Sequence, residues 1–394
     1  MLAATVRVTR DLDAAEEAVQ DAYVSALQTW ARDGVPAKPG AWLTTVARRN
    51  ALNVMRRRQT LATKLPLLLG REDAEMSAPD ADTIPDDRLR LIFTCCHPAL
   101  SPEAQIALTL RLVCGVATPD IAQAFLVAEA TMAARLTRAK KKIAAARIPY
   151  AVPSAAELPE RVDAVLTVIH LLYATGHTAH SGEDLVRDEL TGRALDLARM
   201  LRLLLPADRE AAGLLALLLV HHARRATRTD AHGRLLRIEE QDRSAWDRER
   251  IAEADRLVVA ALSAGPPGRF TLQAAIAALH AQAPSYAETD WPQILTLYDE
   301  LLRIWPSPVV ALNRAVAVSM VDGPEVALAE VEALERDGRL AGYRYLPATK
   351  ADLLHRLGRD AEAVDAYQAA LALSDNAAEQ EFLAERVRSA RPKS

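Results

Sequence analysis

The sequence is poor in aromatic residues, which make up 4% of it, and it holds only 15 glycines among 394 residues. Few aromatics and few β-branched runs leave little material for strands, and the scarcity of glycine argues against a fold dominated by tight turns. Three cysteines, two of them adjacent, cannot form a disulfide framework, so a reducing compartment such as the cytoplasm is expected. No apolar run approaches the roughly 18 residues that span a bilayer; the richest, GLLALLLV from Gly213, is too short. The N-terminal MLAATVRVTRDLD places charge after its apolar residues and lacks the layout of a signal peptide. No phosphate-binding glycine loop with a lysine is found, and no G-x-S-x-G motif.

What remains is rich in Ala, Leu, Arg and Glu, all strong helix formers, and an all-α protein is expected. The net charge of −4 is divided unevenly: residues 1–150 carry +4 and the rest −8. A basic front and an acidic back permit nucleic-acid contact at one end.

Helical periodicity begins at once. DLDAAEEAVQDAYVSALQTW places Leu12, Ala15, Val19, Ala22, Ala26 and Trp30 on one face. The loop RDGVPAKPG follows, and then AWLTTVARRNALNVMRRR continues the period through Leu43, Val46, Ala47, Ala51 and Val54. Arg56, Arg57 and Arg58 end that helix, where cations complement the helix dipole. Residues 63–87 are acidic and punctuated by proline, and they read as a flexible linker. Helices resume over 88–148, with Ser101 as cap and Pro102 in the first turn of SPEAQIALTLRL. YAVPSAAE at 150–157 marks a second boundary, and 158–394 reads as one larger helical domain. Within it, ALNRAVAVSMVDGPEVALAEVEAL and ATKADLLHRLGRDAEAVDAYQAALAL align with Gly323 opposite Gly358, a shift of 35 residues. The tetratricopeptide period is roughly 34.

The stretch TPDIAQAFLVAEATMAARLTRAKKKI from Thr118 is the most specific. Thr118 and Pro119 start a short helix that buries Ile121, Ala122 and Phe125, with Thr118 expected as its cap. After the break Leu126–Ala128, Met132, Leu136, Ala139 and Ile143 would pack inward. Thr131, Arg135, Arg138 and Lys142 share a neighbouring face, with Lys140 and Lys141 beside them. Two short helices, the second with a basic stripe, suit a helix-turn-helix that reads a major groove. An amphipathic hairpin with a solvated charge run fits the same pattern. The turn has no glycine, and Ala128 stands where a capping Ser or Thr is expected.

Taken in order, these segments resemble bacterial sigma factors of the extracytoplasmic-function, sigma-70-like group. LIFTCCHPALSPEAQIALTLRL, GHTAH and ALNRAVAVSMVDGPEVAL are similar to the subfamily with a large fused helical C-terminal domain, which extends the likeness over most of the chain. The resemblance implies an all-α fold in which residues 1–62 are region 2, 88–148 are the helix-turn-helix region 4, and 158–394 are a tetratricopeptide-like regulatory domain. It further implies that Asp13, Glu16, Glu17, Gln20 and Asp21 grip the clamp helices of the β′ subunit of core RNA polymerase. Trp42, Arg48, Arg49, Asn50, Asn53, Arg56 and Arg57 would open and read the minus-ten promoter element; Trp42 also fits a core position. Thr131, Arg135 and Arg138 would read the minus-thirty-five element of promoter DNA, with Lys140, Lys141 and Lys142 on phosphates. Members of the group have residues before the point that matches Met1, so the resemblance places Met1 inside the first helix of region 2. A start assigned too far downstream, or weakened polymerase binding, is the corresponding expectation.

No active site, cofactor, metal or membrane contact is implied, and a contact of the C-terminal domain with the sigma regions is an expectation from its size and acidity. Cys95, Cys96, His97 and Cys114 lack the C-x2-C spacing of a zinc site and read as buried residues. His177, His180, His221 and His222 have no companion motif. Asp322-Gly323-Pro324-Glu325 reads as a helix–helix turn or a regulatory contact. A different class of function, a helical-repeat interaction scaffold with a DNA-binding front half, fits the same residues.

Overall fold

Leu and Ala recurring at helical spacing produce helices throughout the computed structural model, which has 18 α-helices among the residues it describes. Those residues are 1–64, 87–125, 127–154, 156–178, 181–182, 188–230 and 233–390; the side chains of 57–64, 123–124, 159–160, 181–182 and 189 are not described. The expected linker over 63–87 therefore lies almost wholly outside the described residues. The chain divides into two units, Met1–Val168 and Ile169–Ser394.

The first unit begins with α1 (Leu2–Thr9), α2 (Leu12–Asp33) and α3 (Pro39–Lys64). Asp11 caps α2, its carboxylate accepting from Ala14 N at 3.0 Å, and Gly34 ends the helix at φ 82°. Ala15, Ala22, Ala47 and Ala51 are fully buried, and small side chains at these positions let α2 and α3 pack closely. Then come α4 (Asp87–Cys95), α5 (Pro102–Leu108), a π-helical turn over Thr109–Val113, α6 (Thr118–Ala124) and α7 (Glu129–Ala145). α4 buries every residue from Leu89 to Cys95, Arg90 and Thr94 included, so it is enclosed nearly all round. Ser101 caps α5 with Pro102 in the first turn, as the sequence predicts. Tyr150 Oη lies 2.7 Å from the carbonyls of both Ala3 and Asp87, tying α1 and α4 to the segment after α7. α8 (Leu158–His177) crosses from the first unit to the second.

In the second unit α9 (Asp188–Leu204), α11 (Arg248–Ser263) and α12 (Arg269–Gln282) pack around α10 (Arg209–Ala223). The apolar run from Gly213 is thus the centre of a helical bundle, and among the described residues no helix is long and apolar enough to cross a membrane. Glu210 receives hydrogen bonds from Phe270 N at 2.7 Å and Thr271 N at 3.1 Å, capping the start of α12 from a neighbouring helix.

α13 (Trp291–Ile304), α14 (Pro308–Val321), α15 (Pro324–Asp337), α16 (Tyr345–Arg356), α17 (Asp360–Ala372) and α18 (Ala377–Ala390) follow as stacked neighbours. The repeat seen in the sequence is structural. Gly323 and Gly358 both adopt positive φ, 101° and 73°, in the loops that lead into α15 and α17. Ala315 and Ala351, and likewise Ala327 and Ala363, each pair one residue farther apart than the two glycines, are fully buried in one shared core. The result is a tetratricopeptide-like stack of helical hairpins closed by α18. Ser181–Gly182 and Asp375–Asn376 pair in parallel as a two-residue ladder, and Thr229 and Leu235 form an isolated antiparallel bridge.

Candidate polymerase and nucleic-acid interface

The helix-turn-helix forms from α6 and α7. α6 begins at Thr118 itself, with Ile121 N bonded to Ala117 O, so Thr118 lies one residue inside its expected cap position. Ile121 and Ala122 are buried. Leu126 lies outside the described residues. Val127 N bonds Ala122 O at 3.0 Å, and Ala128 stands at the N-cap of α7 without a side-chain bond. Met132, Leu136, Ala139 and Ile143 are all buried, as their spacing predicts.

That packing turns the polar residues outward. Thr131, Arg138, Lys141 and Lys142 are exposed. Arg135 is half-buried, its guanidinium 5.7 Å over the Phe125 ring, so the first helix steadies it. Lys140 points elsewhere: its Nζ lies 2.6 Å from Asp13 Oδ1 and 2.8 Å from Glu16 Oε2. Burial works to lower the Lys140 pKa, but the two carboxylates outweigh it and hold the ammonium above its ordinary value.

On α3, Arg48, Arg49, Asn53 and Arg56 are exposed and Asn50 half-buried, opposite the buried Ala47 and Ala51. Trp42 is half-buried, its ring 5.4 Å from that of Trp30 and tilted by 58°. The Arg57 side chain lies outside the described residues. α3 thus offers guanidinium and amide groups along one solvent-facing side, a pattern that suits a nucleic-acid backbone and unstacked bases.

The acidic residues of α2 fall on one face, with Asp13, Glu17, Gln20 and Asp21 exposed and Glu16 half-buried. Glu16 also lies 3.8 Å from Arg111 Nε. A polar cleft of about 360 Å³ runs between these carboxylates, Arg111, Thr137 and Lys140. The sequence carries no signal for Arg111, since nothing in its local spacing connects it with a glutamate 95 residues earlier.

The cysteines are remote from any surface chemistry. Cys95, Cys96 and Cys114 are buried and form no disulfide, and Cys96 Sγ lies 3.8 Å from Thr109 Oγ1. Burial pushes the Cys95 and Cys96 thiols up, Cys96 to about 12, so neither is a thiolate near neutral pH. His97 Nδ1 accepts from Ala99 N. His177 stacks on Tyr173 at 5.4 Å, and His180 lies outside the described residues. Among the described residues no group of three His, Cys, Asp or Glu is placed to hold a metal ion. At 322–325, Gly323 forms the N-cap of α15 and Pro324 its first turn, a plain connection between two helices.

Three family models match successive segments of the chain. Residues 2–60 match Sigma-70 region 2, residues 90–143 match Sigma-70 region 4, and residues 161–262 match a family of unknown function, DUF6596. An uncharacterized protein of Rhizobium meliloti (strain 1021) is 45% identical over 388 residues, covering 97% of this chain and 91% of its own. Among solved structures, yeast Tom70 overlays with a TM-score of 0.39 at 11% identity, covering 98% of this chain and 81% of its own. With region 2 and region 4 present in order and a helical body fused behind them, the chain belongs to the sigma-70-like factors of extracytoplasmic-function arrangement that carry a C-terminal domain.

Proposed function

We propose that this sigma factor brings core RNA polymerase to a specific set of promoters, acting in the cytoplasm without catalytic chemistry of its own. The acidic face of α2 (Asp13, Glu16, Glu17, Gln20 and Asp21) meets the clamp helices of the β′ subunit. α3 lays Arg48, Arg49, Asn53 and Arg56 along the melted minus-ten strand, with Trp42 and Asn50 at its edge. α7 enters the major groove of the minus-thirty-five element with Thr131, Arg135 and Arg138, while Lys141 and Lys142 neutralise phosphates. The C-terminal domain regulates this activity. The observation that carries the reading is the segregation on α7, where every apolar residue of the inward stripe is buried and Thr131, Arg138, Lys141 and Lys142 remain open to a ligand.

Run-off transcription with purified core polymerase on a library of promoter fragments tests it. Wild-type protein is expected to select a consistent pair of elements, and Arg135→Ala with Arg138→Ala to abolish selection of the upstream one. Unchanged selection in that double variant, or failure of the chain to bind core polymerase, overturns the reading.

A further inference from the structure

The second unit contains a cavity of about 390 Å³ among α8, α10, α12, α13 and α14. That size falls in the range of sites for small molecules. One wall is formed by Arg224, at the end of α10, with His170, His221 and His280 around it. Leu217, Ile276, Leu301 and Val309 supply apolar lining. Trp305 and Asn313, both exposed, mark the open side.

The polar wall is incompletely satisfied. Arg224 Nε, His170 Nδ1 and His280 Nδ1 are each buried with no hydrogen-bond partner. Arg224 makes one long bond, from Nη2 to His221 Nδ1 at 3.5 Å, and its guanidinium lies 5.7 Å from the Trp246 ring. No carboxylate pairs with it among the described residues. Neighbouring arginines are treated differently by the fold. Arg243 donates to the carbonyls of His280 and Ala283, both at 2.7 Å, and Arg228 donates to His177 O and to Thr178 Oγ1. Those guanidiniums are structural; Arg224 is held over a cavity with its charge unanswered.

The cavity contains no Asp or Glu, and the charges that act on Arg224 and the histidines most strongly are those of other arginines. Burial lowers the Arg224 pKa to about 10, which leaves it a cation at neutral pH, and lowers His170 and His280 to about 4, which leaves them neutral. One fixed cation, flanked by imidazoles that are neutral and able to donate, suits a single negative charge shared over two oxygens. We propose that this cavity binds a small monocarboxylate with an apolar, planar body, its carboxylate on Arg224 and its body against Leu217, Ile276 and Trp305. The proposal does not depend on the promoter function, because it is read by binding alone.

The full-length protein is titrated with benzoate and indole-3-acetate, using calorimetry and thermal unfolding, with benzamide and inorganic phosphate as comparison probes. At least one carboxylate is expected to bind at one site per chain and raise the unfolding temperature, while benzamide binds at least about tenfold more weakly. Arg224→Gln is expected to remove the carboxylate's advantage. Ala277→Phe fills the cavity without touching the charge, and it is expected to abolish binding even if Arg224→Gln does not fold. Absence of carboxylate binding, equal binding of benzamide, binding of phosphate in place of the carboxylates, or binding that survives Ala277→Phe would each overturn the proposal.

Discussion

Lys140 Nζ lies 2.6 Å from the carboxylate of Asp13, a residue 127 positions earlier in the chain. The first belongs to the helix proposed to hold promoter DNA and the second to the face proposed to hold polymerase. Glu16 joins them at 2.8 Å, and Arg111 lies on its other side. Asp13 and Glu16 cannot give the same oxygens to Lys140 and to a basic partner, so polymerase binding on this face competes with the intramolecular contact. Lys140→Gln is therefore expected to strengthen binding to core polymerase severalfold while weakening the fold slightly. A double-mutant cycle of Lys140→Ala with Glu16→Ala should give a coupling of about 0.5 to 1 kcal/mol, since the pair is partly buried yet still near solvent. The check is denaturant unfolding beside a polymerase pull-down, and a coupling near zero would remove the contact from the account.

The exposed cations of α7 are expected to divide into two kinds. Lys141→Ala and Lys142→Ala should weaken binding to every promoter alike, and each should lower the slope of log affinity against log salt by about 0.9. Arg138→Ala should cost about 1 to 3 kcal/mol on the preferred sequence and relax the choice of base at one position. Binding measured at several salt concentrations, on matched and mismatched duplexes, separates the two. Equal sequence dependence in all three variants would mean that Arg138 does not read bases.

Much of the fold was legible because helices report themselves locally. Met132, Leu136, Ala139 and Ile143 could be placed inward from spacing alone, and all four are buried. Gly323 and Gly358 marked a repeat because a left-handed turn favours the same residue type each time. The sequence was silent where helices distant in the chain converge. Nothing in a basic run shows that Lys140 turns toward α2 while Lys141 and Lys142 face solvent. His221 stands out in the sequence only as part of a histidine pair, and His170, Arg224 and His280 carry no local signal at all. They come from three different helices and meet only when α8, α10 and α12 pack together.

Acidification should loosen the second unit. Burial is the main cause that lowers His170, His222 and His280 to about 4, while an unfolded chain titrates near 6.5. Between those values the unfolded state takes up protons that the folded state refuses, so stability present above about pH 6.5 falls as the pH drops toward 4. Each such histidine contributes up to about 1.4 kcal/mol per pH unit in that window. Urea unfolding at pH 7 and pH 5 is expected to show a lower midpoint at pH 5, and His222→Gln should reduce the difference. An unchanged midpoint would show that these imidazoles are hydrated in the folded protein.

Gly213 and Gly192 are both helical, yet replacing them should have opposite effects. A Cβ at Gly213 would meet Thr271 N at 2.5 Å and Thr271 Cα at 2.7 Å, and this is backbone already fixed by Glu210 at the start of α12. Gly213→Ala must push α10 and α12 apart at the centre of their bundle, at an expected cost of about 1 to 3 kcal/mol. A Cβ at Gly192 on α9 meets nothing within 4 Å, so Gly192→Ala should gain about 0.5 to 1 kcal/mol from the lower backbone entropy of the unfolded chain. Thermal unfolding of the two variants beside wild type decides the matter. If Gly213→Ala were as stable as wild type, α10 and α12 would lie farther apart than the Glu210–Thr271 hydrogen bonds imply.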